Sequence, residues 1–354
     1  ENMKNKLTLR YFKITRCGYW SGSSKEPNHY EDLLKTLTHL ETYVKGKTIE
    51  ETGISRDDKE PSTFLLDICK KNGLWLLAFW NPAAESSSDE IVSLNMKSKL
   101  GQVDSSPVTA GNGKTFGFVS YFLIWPEHNF YSTILSPNAT LAGRTEFEEY
   151  MLNFLWIDPN FIEKTTYEET STDGIIHTME RTNFKLPLKI NGTPVPRFAG
   201  KLAKSPSEKE YVISNYDQVT QVHNQCTVKV TSGQSSSGIL KKMLPSFFGS
   251  TELFAPLKTI RVNHSVSAAF ENKSNLKDWI EDWEKNSFDL DKDDCGFKLK
   301  NDDKIYWIRG NVIKCELDVN LHKENGIYPA AKILDIIDQR KDYVLNEFKL
   351  SDDS

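Results

Sequence analysis

The sequence predicts an α+β protein of two domains, with mixed or antiparallel sheets and covering helices, and three observations carry that prediction. In residues 113–157 a strand pattern, a turn, a second strand and a helix pattern follow one another without conflict. A chain of 354 residues is longer than one hydrophobic core usually organises. Beyond Phe161 the pattern changes to long, polar, alternating segments. The expected division is 1–159, an N-terminal α+β domain, and 160–354, a strand-rich basic middle followed by a helical, acidic C-terminal part.

Residues 116–124 read as a strand too apolar to have a wet face. Pro126-Glu127-His128-Asn129 supplies turn chemistry and residues 130–135 a second strand, which makes a hairpin. Thr145 and Glu148 have the spacing of a capping box, and Phe147, Tyr150, Met151, Phe154 and Leu155 form one apolar helix stripe. Upstream, residues 7–15 have strand character. Residues 28–44 have helical spacing through Tyr30, Leu33, Leu34, Leu37, Leu40 and Val44. Residues 64–68 and 74–80 form a second hairpin through Asn72-Gly73, and a short strand is expected near 91–95.

Downstream, residues 162–169 and 174–190 alternate around Thr172-Asp173-Gly174. Residues 211–215, 218–231 and 257–262 read as strands, 232–238 as a surface loop and 238–248 as a short helix carrying Lys241 and Lys242. Leu276, Trp279, Ile280 and Trp283 make a helix stripe suited to core or partner packing. A hairpin at 297–300 and 304–308, a strand at 311–319 and a helix from Pro329 through Phe348 complete the chain.

Hydrophobic residues at 38%, charged residues at 26% and eight tryptophans place the chain with globular proteins rather than disordered ones. No apolar run reaches the roughly 18 residues a membrane span needs. Residues 1–6 lead into a strand pattern rather than a signal peptide, so the expectation is a cytoplasmic protein without membrane insertion. Five scattered cysteines without a C-x-x-C pair suit neither a disulfide framework nor a zinc site.

The net charge of −5 argues against a general nucleic-acid coat, but the charges are segregated. Between Arg181 and Asn263 twelve basic residues stand against four acidic ones, and aromatic residues such as Phe184, Phe198 and Tyr211 are interleaved. Lysine and arginine at strand and loop positions neutralise phosphates and give sequence-independent, salt-sensitive affinity. The candidate DNA contacts are Lys185, Lys189, Arg197, Lys201, Lys204, Lys229, Lys241, Lys242, Lys258 and Arg261.

Other chemistry finds little support. Gly111-Asn-Gly-Lys114-Thr115 ends like a phosphate loop, but its first glycine would have to be Val108 and a strand follows where a helix is needed. Glu271-Asn-Lys273 and Glu347-Phe-Lys349 match the letters of a metal-dependent nuclease, yet they sit at a helix approach and a helix end. The aspartate-rich 289–294 segment lacks the glycine and glutamate of a calcium loop. The seven histidines show no metal or ribonuclease spacing, and no G-x-S-x-G elbow occurs. Neither metal nor cofactor is expected.

The order FGFVSYFLIWPEHNFYSTIL, TEFEEYMLNFL, KKMLPSFFG, IRVNH, NLKDWIEDW, GFKLKNDDKIYWIRG and AAKILDIIDQRKDYVLNEF resembles the layout of the RexA-like family of phage-exclusion DNA-binding proteins. More loosely it is similar to the DNA-binding component of the Kiwa defence system. The resemblance implies a homodimeric, nonenzymatic factor in bacterial anti-phage defence that clamps double-stranded DNA without reading its sequence. Two alternatives stand beside it. One is a metal-dependent nuclease; the other is an assembly factor that ignores DNA and recognises a defence or phage protein through Trp279 and Trp283.

Overall fold

The computed structural model describes residues 5–55, 63–82, 92–103, 105–107, 117–136, 143–170, 176–205, 207–229, 259–286, 294–310 and 312–349. They form an α+β structure in which every described ladder is antiparallel. The chain divides into two compact units, Glu1–Ala203 with Ile313–Leu350, and Lys204–Val312. The change of pattern near residue 160 lies within the first unit.

The first unit is built on β1 (Asn5–Trp20), a run free of proline and of carboxylates. The other strands of its sheet are β2 (His29–Glu31), β3 (Phe64–Lys71), β4 (Leu74–Pro82), β5 (Val92–Leu94), β6 (Ser105–Pro107), β7 (Gly117–Trp125) and β8 (Phe130–Leu135). A separate two-stranded ribbon, β9 (Ile162–Thr170) and β10 (Ile176–Phe184), follows, with nearly all of β9 exposed. β11 (Val195–Leu202) then returns to the main sheet, whose order is β11-β1-β8-β7-β4-β3. Lys13 pairs with both Lys201 and Phe130, so β11 and β8 occupy opposite edges of β1.

The apolar strands have no wet face because both faces are covered. Leu7, Leu9 and Tyr11 join a core with α-helical residues near the C-terminus, among them Ile333, Leu334, Ile337, Val344 and Phe348. Phe12 and Ile14 join a second core with Leu37, Leu40, Phe147, Tyr150, Met151 and Phe154. β4 alternates in the same way, with Leu74, Leu76 and Ala78 in one core and Trp75, Leu77 and Phe79 in the other. Each fully buried large side chain contributes about 1.5–3 kcal/mol. Tyrosine hydroxyls tie the layers together: Tyr11 donates to the Val344 carbonyl at 2.8 Å and Tyr19 to that of Leu155 at 2.9 Å.

The helices on the second core are α1 (Leu33–Val44) and α2 (Arg144–Ile157). α1 begins later than its spacing suggests. His29–Glu31 pairs with β1, and the Asp32 carboxylate accepts from the Lys35 amide at 2.8 Å, which fixes the helix start. Leu34 is consequently exposed. The expected capping box does not form: Gly143, in the left-handed region at φ 64°, precedes α2 without a side-chain cap, and Glu148 turns to other partners. The expected stripe on α2 is fully buried. Asn72 and Gly73, at φ 48° and 84°, make the β3–β4 turn as their residue types predict.

In the second unit β12 (Val219–Lys229), β13 (Thr259–Ser267), β14 (Asp294–Leu299) and β15 (Ile305–Trp307) form a sheet of order β13-β12-β14-β15. α3 (Lys209–Ser214) and α4 (Lys273–Asn286) close one core with it. The expected strand at 211–215 is thus mostly helix: the neighbours Val212 and Ile213 are both buried, which alternation in a strand does not allow. The chain re-enters the first unit with β16 (Lys314–Val319), α5 (Ala330–Asp338) and α6 (Lys341–Lys349). The single helix expected from Pro329 to Phe348 is interrupted at Gln339-Arg340, where Arg340 donates to the Asp318 carbonyl at 3.0 Å. Residues 230–258 and 287–293, with the expected loop, the short helix and most of the aspartate-rich segment, lie outside the described residues.

Candidate nucleic-acid interface

β1 and β11 together carry Lys6, Arg10, Lys13, Arg16, Arg197 and Lys201, all exposed, and not one carboxylate. Four of these share a face because of a bulge. The ladder passes from Ile14 opposite Gly200 to Arg16 opposite Ala199, so Thr15 is an extra residue on β1 and its hydroxyl donates to the Ala199 carbonyl at 3.1 Å. An extra residue reverses the inward and outward alternation. Phe12 and Ile14 before it, and Cys17 and Tyr19 after it, therefore reach the same core. Lys13 and Arg16 are left on the opposite, exposed face. Lys201 stands opposite Lys13, and Arg197 stands opposite Gly18. Phe198 between them points into the core.

Trp20 extends this face. Its ring stacks on His29 at 6.0 Å with 12° between planes, and the Arg16 guanidinium lies 6.0 Å from its centroid. The arrangement offers cations for phosphates and an aromatic surface beside them. A carboxylate, Glu31, lies at one margin and accepts from the Cys17 amide at 3.3 Å.

The face is braced from behind. A Cβ on Gly200 would meet the Tyr131 ring at 2.4 Å, so only glycine lets β11 approach this closely. Arg144 of α2 donates to the Gly200 carbonyl at 2.7 Å and to Glu148 at 3.1 Å, and Glu148 also accepts from the Gly200 amide at 3.2 Å and from the Tyr131 hydroxyl. Burial, with the Glu148 carboxylate beside it, pushes the Tyr131 phenol well above its ordinary value. It stays a neutral donor. Arg144 is a basic residue committed to holding β11 rather than to a ligand.

Of the residues expected from charge, Arg197 and Lys201 lie together here, and Lys13 and Arg16 join them. The latter two lie far from the basic middle region in sequence. The signal for them was present in β1, a sixteen-residue strand with four cations and no acid. Lys185 is exposed and pairs with Glu163 at 2.7 Å, and Lys189 is exposed in the segment between β10 and β11. Lys204 faces Asp294 at 3.6 Å with only 17% of its side chain exposed, so its charge is engaged inside the second unit. Burial pushes the Asp294 carboxyl up, while Lys204 and the amides of Cys295 and Arg309 draw it back. Lys229 and Arg261 take diagonal positions on β12 and β13, opposite Thr259 and Thr227. Lys241, Lys242 and Lys258 lie outside the described residues.

The competing chemistries find these settings. Glu271 and Lys273 stand at the start of α4, and Glu347 and Lys349 lie in α6, whereas a metal nuclease presents this pair on a strand. His128 packs edge-on against Trp125 at 4.8 Å in the turn after β7. Among the described residues no three His, Cys, Asp or Glu side chains are grouped to hold a metal. Burial pushes the thiols of Cys17 and Cys69 up to about 12, which suppresses nucleophilic thiolate. The resembling phosphate loop at 111–115 lies outside the described residues. Trp283 donates to Asn224 at 3.1 Å and packs within the second unit, whereas Trp279 meets Phe297 edge-on at 5.9 Å and stays 37% exposed. Among the described residues no helix is long and apolar enough to cross a membrane. Compared with known families, curated proteins and solved structures, the chain matches none of them.

Proposed function

We propose that this protein binds double-stranded DNA through the β1–β11 face, without reading its sequence and without cleaving it. The observation that carries the reading is the bulge at Thr15, which sets Lys13, Arg16, Arg197 and Lys201 on one exposed sheet face. A fixed array of cations on a braced strand pair meets successive phosphates of a duplex. Affinity of that kind comes from counterion release and falls steeply with salt. Lysine and arginine contacts of this kind go to the phosphate backbone, which carries no sequence information. In line with the RexA-like resemblance, we place the activity in cytoplasmic anti-phage defence, with two copies of the chain acting as a homodimer.

The test is fluorescence anisotropy with a mixed-sequence duplex of about 30 base pairs, titrated from low to physiological salt with magnesium present. Binding that weakens linearly in log salt, with intact DNA on a gel, is the expected outcome. Absence of binding at low salt sinks the reading, and cut product replaces it with the nuclease.

A further inference from the structure

A second cationic site lies in the first unit, away from the residues assigned above. The C-terminal end of α1 runs into Lys45, Gly46 and Lys47, and Gly46 takes φ 80°, the left-handed turn that reverses the chain there. The next residues pair with the segment after β5: Thr48 bridges Lys99, the Leu100 amide donates to the Lys47 carbonyl at 3.2 Å and the Ile49 amide to that of Ser98 at 2.9 Å. The Gly101 amide then donates to the Leu66 carbonyl of β3 at 2.9 Å. Three chain segments are thus tied by backbone bonds around a cleft of 510 Å³.

Four lysines line it, Lys45, Lys47, Lys70 and Lys99, against one carboxylate, Glu41. Glu41 is taken by Lys70 at 2.7 Å; Glu51 feels the charge of Lys47, but among the described residues no carboxylate is in ion-pair contact with Lys45, Lys47 or Lys99. The Lys47 ammonium lies 3.3 Å from the Tyr43 ring centroid, which holds it in place without neutralising it. Compensation of the α1 dipole accounts for cations at the helix end, but Lys70 and Lys99 come from β3 and from the segment after β5. The floor is apolar, with Ile68 and Leu100 packed on the core. Like charges gathered around a concave, partly apolar surface repel one another until an anion fills it.

We propose that this cleft binds a small phosphorylated molecule of the nucleotide class, its phosphates held by the lysines and its ring body resting on Ile68 and Leu100. The volume lies within the range of about 300–1,000 Å³ found for small-molecule sites. A duplex carries its phosphates on a convex cylinder and does not enter such a cleft. The site is independent of DNA binding at the β1–β11 face.

Isothermal titration of the full chain with ATP, and with adenosine as control, tests this. ATP binds one to one, adenosine binds at least tenfold more weakly, and Lys45→Glu/Lys99→Glu lowers ATP affinity at least tenfold. Lys45 and Lys99 are exposed, and the neutral Lys45→Gln/Lys99→Gln pair, checked by thermal unfolding, repeats the loss in a folded protein. Arg197→Glu/Lys201→Glu keeps ATP affinity within threefold. The proposal is overturned by wild-type protein that ignores ATP at low salt, by adenosine binding as well as ATP, or by equal loss in the Lys45/Lys99 and Arg197/Lys201 variants.

Discussion

Lys13 and Lys201 stand directly opposite one another across the β1–β11 ladder, and both are exposed. The two side chains stand on the same sheet face as Arg16 and Arg197, so Lys201 can be changed without disturbing the core behind it.

Lys201→Glu therefore separates stability from function. The position is exposed, so unfolding stability in urea titrations without DNA stays within about 0.5 kcal/mol of the wild type. The same variant binds duplex DNA more weakly by anisotropy. A variant that loses stability and affinity together would show the lysine to be structural.

Lys204 gives the opposite pattern. With the Asp294 side chain only 8% exposed, Lys204→Met leaves a buried carboxylate without its ammonium and costs about 2–3 kcal/mol. Lys204→Met/Asp294→Asn recovers most of the loss, as a double-mutant cycle measures directly. DNA affinity of the folded variants stays at the wild-type level.

Arg144→Ala removes charge-assisted bonds to Glu148 and to the Gly200 carbonyl and lowers stability by about 2 kcal/mol. Chemical denaturation reads the loss. The effect on DNA affinity is smaller than that of either Arg197→Ala or Lys201→Ala, because Arg144 braces the strand and does not reach the ligand.

His223 makes stability depend on pH. Burial, with Lys298 beside it, holds its imidazole below the ordinary 6.5. The unfolded chain takes up a proton as pH falls through 6.5 while the folded protein resists it. Stability is full above that value and declines as the pH falls toward the folded-state pKa. Thermal unfolding from pH 7.5 to 5.5 shows a shallower decline in His223→Gln than in the wild type.

The parts legible in sequence were those where local pattern and tertiary packing agree. The Asn72-Gly73 turn, the stripe from Phe147 to Leu155 and the doubly covered strand after Gly117 all follow from residue type and period. The misread parts depend on long-range partners. Tyr30 belongs to a short strand because Tyr19 pairs with it, and Glu148 forgoes a capping role for Tyr131 and Gly200. Counting charge in the middle region picks out Arg197 and Lys201, which stand on one exposed strand face, and Lys204, whose ammonium faces Asp294 at 3.6 Å. It passes over Lys13 and Arg16, because a one-residue bulge decides which face they occupy.

The most direct test of DNA binding by the β1–β11 face compares salt dependence between wild type and Arg197→Ala/Lys201→Ala. Each phosphate contact contributes about 0.9 to the slope of log affinity against log salt. The account predicts a slope shallower by about 1.8 in the double variant, with weaker binding at every salt concentration. Equal slopes and equal affinities would contradict it and place any DNA contacts elsewhere on the chain.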